Sequence, residues 1–128
     1  MKIAALIARI LLGLMFLIFG LNIFLHFIPM PPMSGLPGQY FTVMMQSHYF
    51  YFIGAIEVIA SILLLSKQFV PLGLVLLAPI LVNIIIFHLT MQPSGIVPGL
   101  VAILLWALAA WRVRAYLLPV LAPKAAER

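Results

Sequence analysis

The 128-residue chain has no cysteine and only two acidic residues, Glu57 and Glu127. Without cysteine there can be no disulfide, thiolate metal site, iron–sulfur ligation or thiol redox catalysis. Charged residues make up 7% of the chain, whereas soluble domains usually carry about a quarter. A soluble globular domain is therefore excluded. What fills the sequence is apolar: 66% of residues are hydrophobic and the mean hydropathy is +1.30. A chain this short makes one domain at most, and its core must be helix on helix with lipid outside.

Four apolar stretches are long enough to span a bilayer, which needs about 20 helical residues. They run from about 3 to 27, 48 to 65, 70 to 90 and 96 to 118. The connections Ser66–Phe69 and Met91–Gly95 are short, so the spans they join should be antiparallel neighbours. The segment 28–47 is longer and holds Pro29, Pro31, Pro32 and Pro37. Its second half, GQYFTVMMQS, is expected as a short interfacial helix anchored by Tyr40 and Phe41. Lys2 ahead of an apolar run has the outline of a signal peptide, but Arg9 interrupts the run and no small-residue cleavage site follows. An uncleaved first span is expected.

The net charge of +5 raises the possibility of nucleic acid, yet the positions of the basic residues argue for membrane orientation instead. If four helices cross, Lys2, Arg9, Lys67, Arg112, Arg114, Lys124 and Arg128 all fall on one side. The positive-inside rule makes that side the cytoplasm, with both termini in it. The expected architecture is an all-α, integral membrane four-helix bundle in a bacterial cytoplasmic (inner) membrane.

Six polar or ionisable side chains lie within these spans: Arg9, Asn22, His26, Glu57, Asn83 and His88. Such groups face a bundle interior and mark function by default. At ~1.5 Å of rise per residue, Glu57 and Asn83 sit roughly 12–14 Å from the outer ends of their spans. Arg9 lies roughly 13 Å below Glu57 by the same measure. Phe50, Gly54, Glu57 and Ser61 share one stripe of the second span, where small residues would admit a close neighbour. On the first span Arg9, Gly13, Phe16 and Gly20 form one stripe, with Asn22 and His26 on another.

Pro79 frees the carbonyl of Val75, so a kink is expected near the depth of Glu57, with Asn83 placed to satisfy freed backbone groups. The indole N–H of Trp106 needs an acceptor in the fourth span, and Glu57 is one candidate. Two readings of Glu57 stay open. It is a clamp, protonated or paired with Arg9, or it is a proton donor or hydrogen-bond partner for a buried ligand.

No metal site is expected. The nearest approaches are His26 with His88 as haem ligands, or a soft copper site from the outer histidines with Met30, Met33, Met44, Met45 and Met91.

Four segments, RILLGLMFLIFGLN (9–22), PMPPMSGLPGQ (29–39), GAIEVIASILLL (54–65) and FVPLGLVLLAPILVNIIIFHL (69–89), together resemble the DoxX/DoxD-like family of small membrane proteins. The resemblance implies a four-helix membrane bundle. It links the chain to thiosulfate:quinone oxidoreduction or to membrane oxidoreductase complexes in oxidative-stress defence, while similar animal proteins assist receptor assembly. Arg9, Gly13, Gly20, Asn22 and Glu57 are the positions carried over. The sequence departs at Ile23, where many members have a lysine.

The expectation is thus a DoxX-like membrane subunit with a polar cavity toward the outer face. That cavity would hold a quinone or another amphipathic ligand against Glu57, Asn83, Trp106 and Asn22, with Arg9 balancing Glu57. A membrane or redox protein partner would supply the redox centre. The alternatives are a non-enzymatic assembly factor binding other membrane proteins, and a small transporter acting as a homo-oligomer.

Overall fold

A computed structural model describes residues 1–125; Glu127 and Arg128 lie outside the described residues. All regular elements among the described residues are helical, with no strand. Helix α1 spans Lys2–Leu25, α2 Gly35–Gln46, α3 Tyr49–Leu65, α4 Val70–Thr90 and α5 Val97–Arg112. A four-residue helix α6 (Arg114–Leu117) and a 3₁₀ turn (Leu118–Leu121) follow, and a second 3₁₀ turn (Pro93–Gly95) joins α4 to α5. Pro71 and Pro98 stand in the first turns of α4 and α5, where a missing backbone N–H costs nothing.

Helices α1 and α4 are long and apolar enough to cross a membrane, and up to four spans result if each bent helix pair counts as one. At ~1.5 Å per residue they are about 36 and 32 Å long, against ~30 Å of bilayer hydrocarbon. Helices α3 and α5, with 17 and 16 residues, reach only about 25 Å. Each is continued by a segment turned sharply away: α2 meets α3 at 84°, and α6 with its 3₁₀ turn leaves α5 at 89°.

Helix α5 itself stops at Arg112, and the expected fourth span, 96–118, takes in the bend and the short helix beyond it. Two arginines at 112 and 114 have to leave an apolar phase, and Arg114 holds the turn in place. Its Nη1 donates to the Trp111 carbonyl at 2.7 Å, and its guanidinium lies 4.3 Å from the Trp111 ring centroid. The first span also ends earlier than Phe27. His26 enters the left-handed region at φ 52°, its N–H bonds the Asn22 carbonyl at 2.9 Å, and Ile28 N–H bonds Asn22 Oδ1 at 2.7 Å. A C-terminal cap of this kind stops a helix wherever it forms.

Helix α1 packs on α3 and α5, and α4 packs on the same two, so the four longest helices close a ring. Neighbours run antiparallel. Arg9 near the start of α1 bonds the carbonyl of Leu64 near the end of α3, and Gly20 lies against Gly54 and Glu57. Gly20 and Gly54 set how close the two helices come. A Cβ placed on Gly20 would stand 3.1 Å from the Gly54 carbonyl oxygen, and one on Gly54 3.2 Å from that of Gly20. Any side chain there would hold the backbones apart.

The core fills the half of the ring nearer the chain ends. Leu12, Leu64, Leu74 and Leu77 are fully buried, with Phe16, Ala60, Ala102 and Ala109 beside them. The outer surface is apolar to a degree that water would not tolerate: Ile3, Phe52, Val82 and Leu104 are each 60% exposed or more. Antiparallel packing puts Lys2, Lys67, Arg112 and Arg114 at one end of the ring. The connection Phe27–Ser34, helix α2 and the turn at Pro93–Gly95 form the other.

Candidate functional site

At the end away from the cations, the ring of helices does not fill its centre. A cavity of about 750 Å³ opens there, walled by α1, α3, α4 and α5 and roofed by α2 with the preceding connection. It exists because α2 cannot enter the ring. This 12-residue helix has no buried residue, and it is held against the bundle by aromatic rings. Tyr40 lies 5.0 Å from Phe87 and 6.0 Å from Phe50, while Phe41 lies 5.2 Å from Phe50 and 5.6 Å from Phe87, measured between centroids. These separations suit tilted and edge-on aromatic contacts.

Glu57 lies at the inner end of this space. It lines the cavity and is only 6% exposed, and its Oε2 is buried without a hydrogen-bond partner among the described residues. Its neighbour on the same stripe, Ser61, does not relieve it. Ser61 Oγ instead donates to the Glu57 backbone carbonyl at 2.6 Å. A buried polar atom left unpaired costs about 1–3 kcal/mol, and more when charged. Among the described residues no group offsets that cost, and the side chain faces a cavity.

Of the polar residues expected to gather, three line the cavity: Glu57, Asn83 and Asn22. Asn83 donates from Nδ2 to the Tyr40 hydroxyl at 3.4 Å, which ties α4 to the roof. It does not serve the backbone around Pro79, as expected; α4 runs unbroken from Val70 to Thr90 with that proline inside. Asn22 combines its place in the wall with its capping bonds at the end of α1.

Arg9 and Trp106 stand apart from the cavity. The Arg9 guanidinium donates to the Leu64 carbonyl, about two turns of α3 from Glu57. The expected Arg9–Glu57 pair is thus replaced by a side chain-to-backbone bond, because the two residues lie at different heights on antiparallel helices. Trp106 Nε1 donates to the Leu74 carbonyl at 2.8 Å, so the indole finds its acceptor on α4 and not in Glu57.

His26 and His88 both line the cavity, as do Met30, Met33 and Met45; Met44 and Met91 do not. No group of three or more His, Cys, Asp or Glu suited to a metal ion occurs among the described residues. The Nδ1 of His88 lies 2.8 Å from the Ile84 carbonyl. A carbonyl only accepts, so a neutral His88 carries its proton on Nδ1 and leaves Nε2 as an acceptor.

The aromatic walls were the feature least visible beforehand. Tyr40 and Phe41 stood out as anchors, and Phe50 shared the stripe of Glu57. Phe87, whose neighbours in the sequence are nearly all apolar, gave no separate signal. No protein-family model, curated protein or solved structure matches the chain.

Proposed function

We propose that the chain is a four-helix membrane bundle of the DoxX/DoxD type, seated in a bacterial inner membrane with both termini in the cytoplasm. Its function is to bind an amphipathic ligand, in the first place a quinone, as the membrane subunit of an oxidoreductase system. Helices α1, α3, α4 and α5 are the spans, α2 lies along the outer interface, and the basic end faces the cytoplasm.

The observation that carries this reading is a cavity of about 750 Å³ with one unpartnered carboxylate at its inner end. Ligand sites are typically clefts of about 300–1,000 Å³, mostly apolar, with a few polar groups that fix orientation. Asn22, Asn83 and the Nε2 of His88 would meet polar atoms farther out, and the aromatic walls would take ring faces. A quinone bound here would supply two-electron, two-proton chemistry. Glu57 would hold or release a proton at Oε2, and α2 would shield it from water. The chain has no cysteine, so a partner protein would supply the redox centre.

Native mass spectrometry in mild detergent, with a short-chain quinone added, tests the proposal. The expected result is one bound quinone per chain, lost in Glu57→Gln while the variant still folds. Protein that stays empty at saturating quinone would refute the quinone reading and favour a scaffold whose lipid-facing surfaces bind other membrane proteins.

A further inference from the structure

Charge balance at the cavity points to a second ligand class. Glu57 is the single acidic residue among the described residues, and no cation among them answers it. Arg9 is bonded to the Leu64 carbonyl and Arg114 to Trp111, while Lys67 sits in the turn between α3 and α4, at the opposite end from the cavity. The connection, roof helix and turn around the cavity carry no lysine or arginine. At that end the formal charge is set by one carboxylate.

Its surroundings suit a cation with an apolar body. Phe16, Tyr40, Phe41, Phe50 and Phe87 line the space, and a cation is attracted to an aromatic face, most strongly when desolvated. The polar groups nearby are compatible: Asn83 has an amide oxygen to offer, and neutral His88 presents Nε2 as an acceptor. An anion would meet the carboxylate and the negative ring faces together. A neutral quinone fills the space without neutralising an ionised Glu57, and a cation does both.

We infer that the cavity also accepts a lipophilic organic cation, an ammonium or phosphonium carrying aromatic or alkyl groups, with Glu57 as its counter-charge. This rests on reading the cavity as a ligand site, and it adds a sign preference that the quinone reading does not require.

The test compares two ions of nearly the same shape and opposite charge, tetraphenylphosphonium and tetraphenylborate, by equilibrium dialysis against the full chain in mild neutral detergent. A short-chain quinone is measured alongside. The expected result is saturable phosphonium binding at least about tenfold tighter than borate, with that preference lost in Glu57→Gln. Equal or tighter borate binding by the unaltered chain would overturn the inference without any variant, as would an undiminished preference in folded Glu57→Gln. Quinone binding without phosphonium binding would sink the cation inference and leave the quinone reading standing. Phosphonium binding without quinone binding would do the reverse.

Discussion

Replacing Glu57 with methionine separates a fastener from a site. A fastener is held by its partners, so removing it must weaken the fold. A site residue kept for a ligand is an uncompensated cost in the empty protein, so removing it must strengthen the fold. Glu57 Oε2 is buried with no hydrogen-bond partner among the described residues, and the side chain lines an open cavity. Methionine has nearly the same length and volume, so packing against Gly20 should change by well under ~1.5 kcal/mol. Relief of the unpaired carboxylate contributes about 1–3 kcal/mol in the opposite direction. Glu57→Met should therefore stabilise the empty protein by about 1–2 kcal/mol, a rise of roughly 3–12 °C in melting temperature for a chain of this size. Thermal unfolding followed by circular dichroism in mild detergent reads the shift directly. Ligand binding should disappear in the same variant, the usual exchange between stability and function at a strained site. A lowered melting temperature would refute the reasoning, because it would mean that Glu57 is held by something the fold needs.

How far the sequence reached depended on what each residue interacts with. The apolar stretches announced the helices because their own composition decides whether they enter lipid. The close pair Gly20 and Gly54 was half visible: small residues on a stripe signal close approach, but which helix approaches needs the antiparallel register. The ends of helices α5 and α1 could not be read from hydropathy because capping contacts fix them, Arg114 onto Trp111 and Asn22 onto Ile28. Arg9 and Asn22, on different stripes of α1, could not be brought to one point by periodicity. They serve different ends of the molecule, one bonding Leu64 and the other the outer cap. A cavity toward the outer face was expected, but its aromatic roof was not legible. It arises from the 84° turn between α2 and α3, a long-range outcome that no local pattern specifies.

Four further variants probe the packing, the indole and the sidedness. Trp106→Phe loses the bond to the Leu74 carbonyl and should cost about 0.5–1.5 kcal/mol in thermal stability. Ligand affinity should stay unchanged, because Trp106 does not line the cavity; a matching loss of affinity would place it in the site after all. Gly20→Leu should be destabilising by about 1–3 kcal/mol or more, since even its Cβ would lie 3.0 Å from the Glu57 Cβ. If it melts like the unaltered chain, α1 and α3 are not in close contact at that level. The last variants use the cysteine-free background. Lys67→Cys and Gln92→Cys lie in successive connections, Lys67 between α3 and α4 and Gln92 between α4 and α5, at opposite ends of a 21-residue helix about 32 Å long. A membrane-impermeant maleimide added to intact cells should label Gln92→Cys at once and Lys67→Cys only after permeabilisation. Labelling in the reverse order would put the basic end outside and the cavity in the cytoplasmic leaflet. Label reaching both positions in intact cells would mean that α4 does not cross the membrane, and the bundle proposal would fall with it.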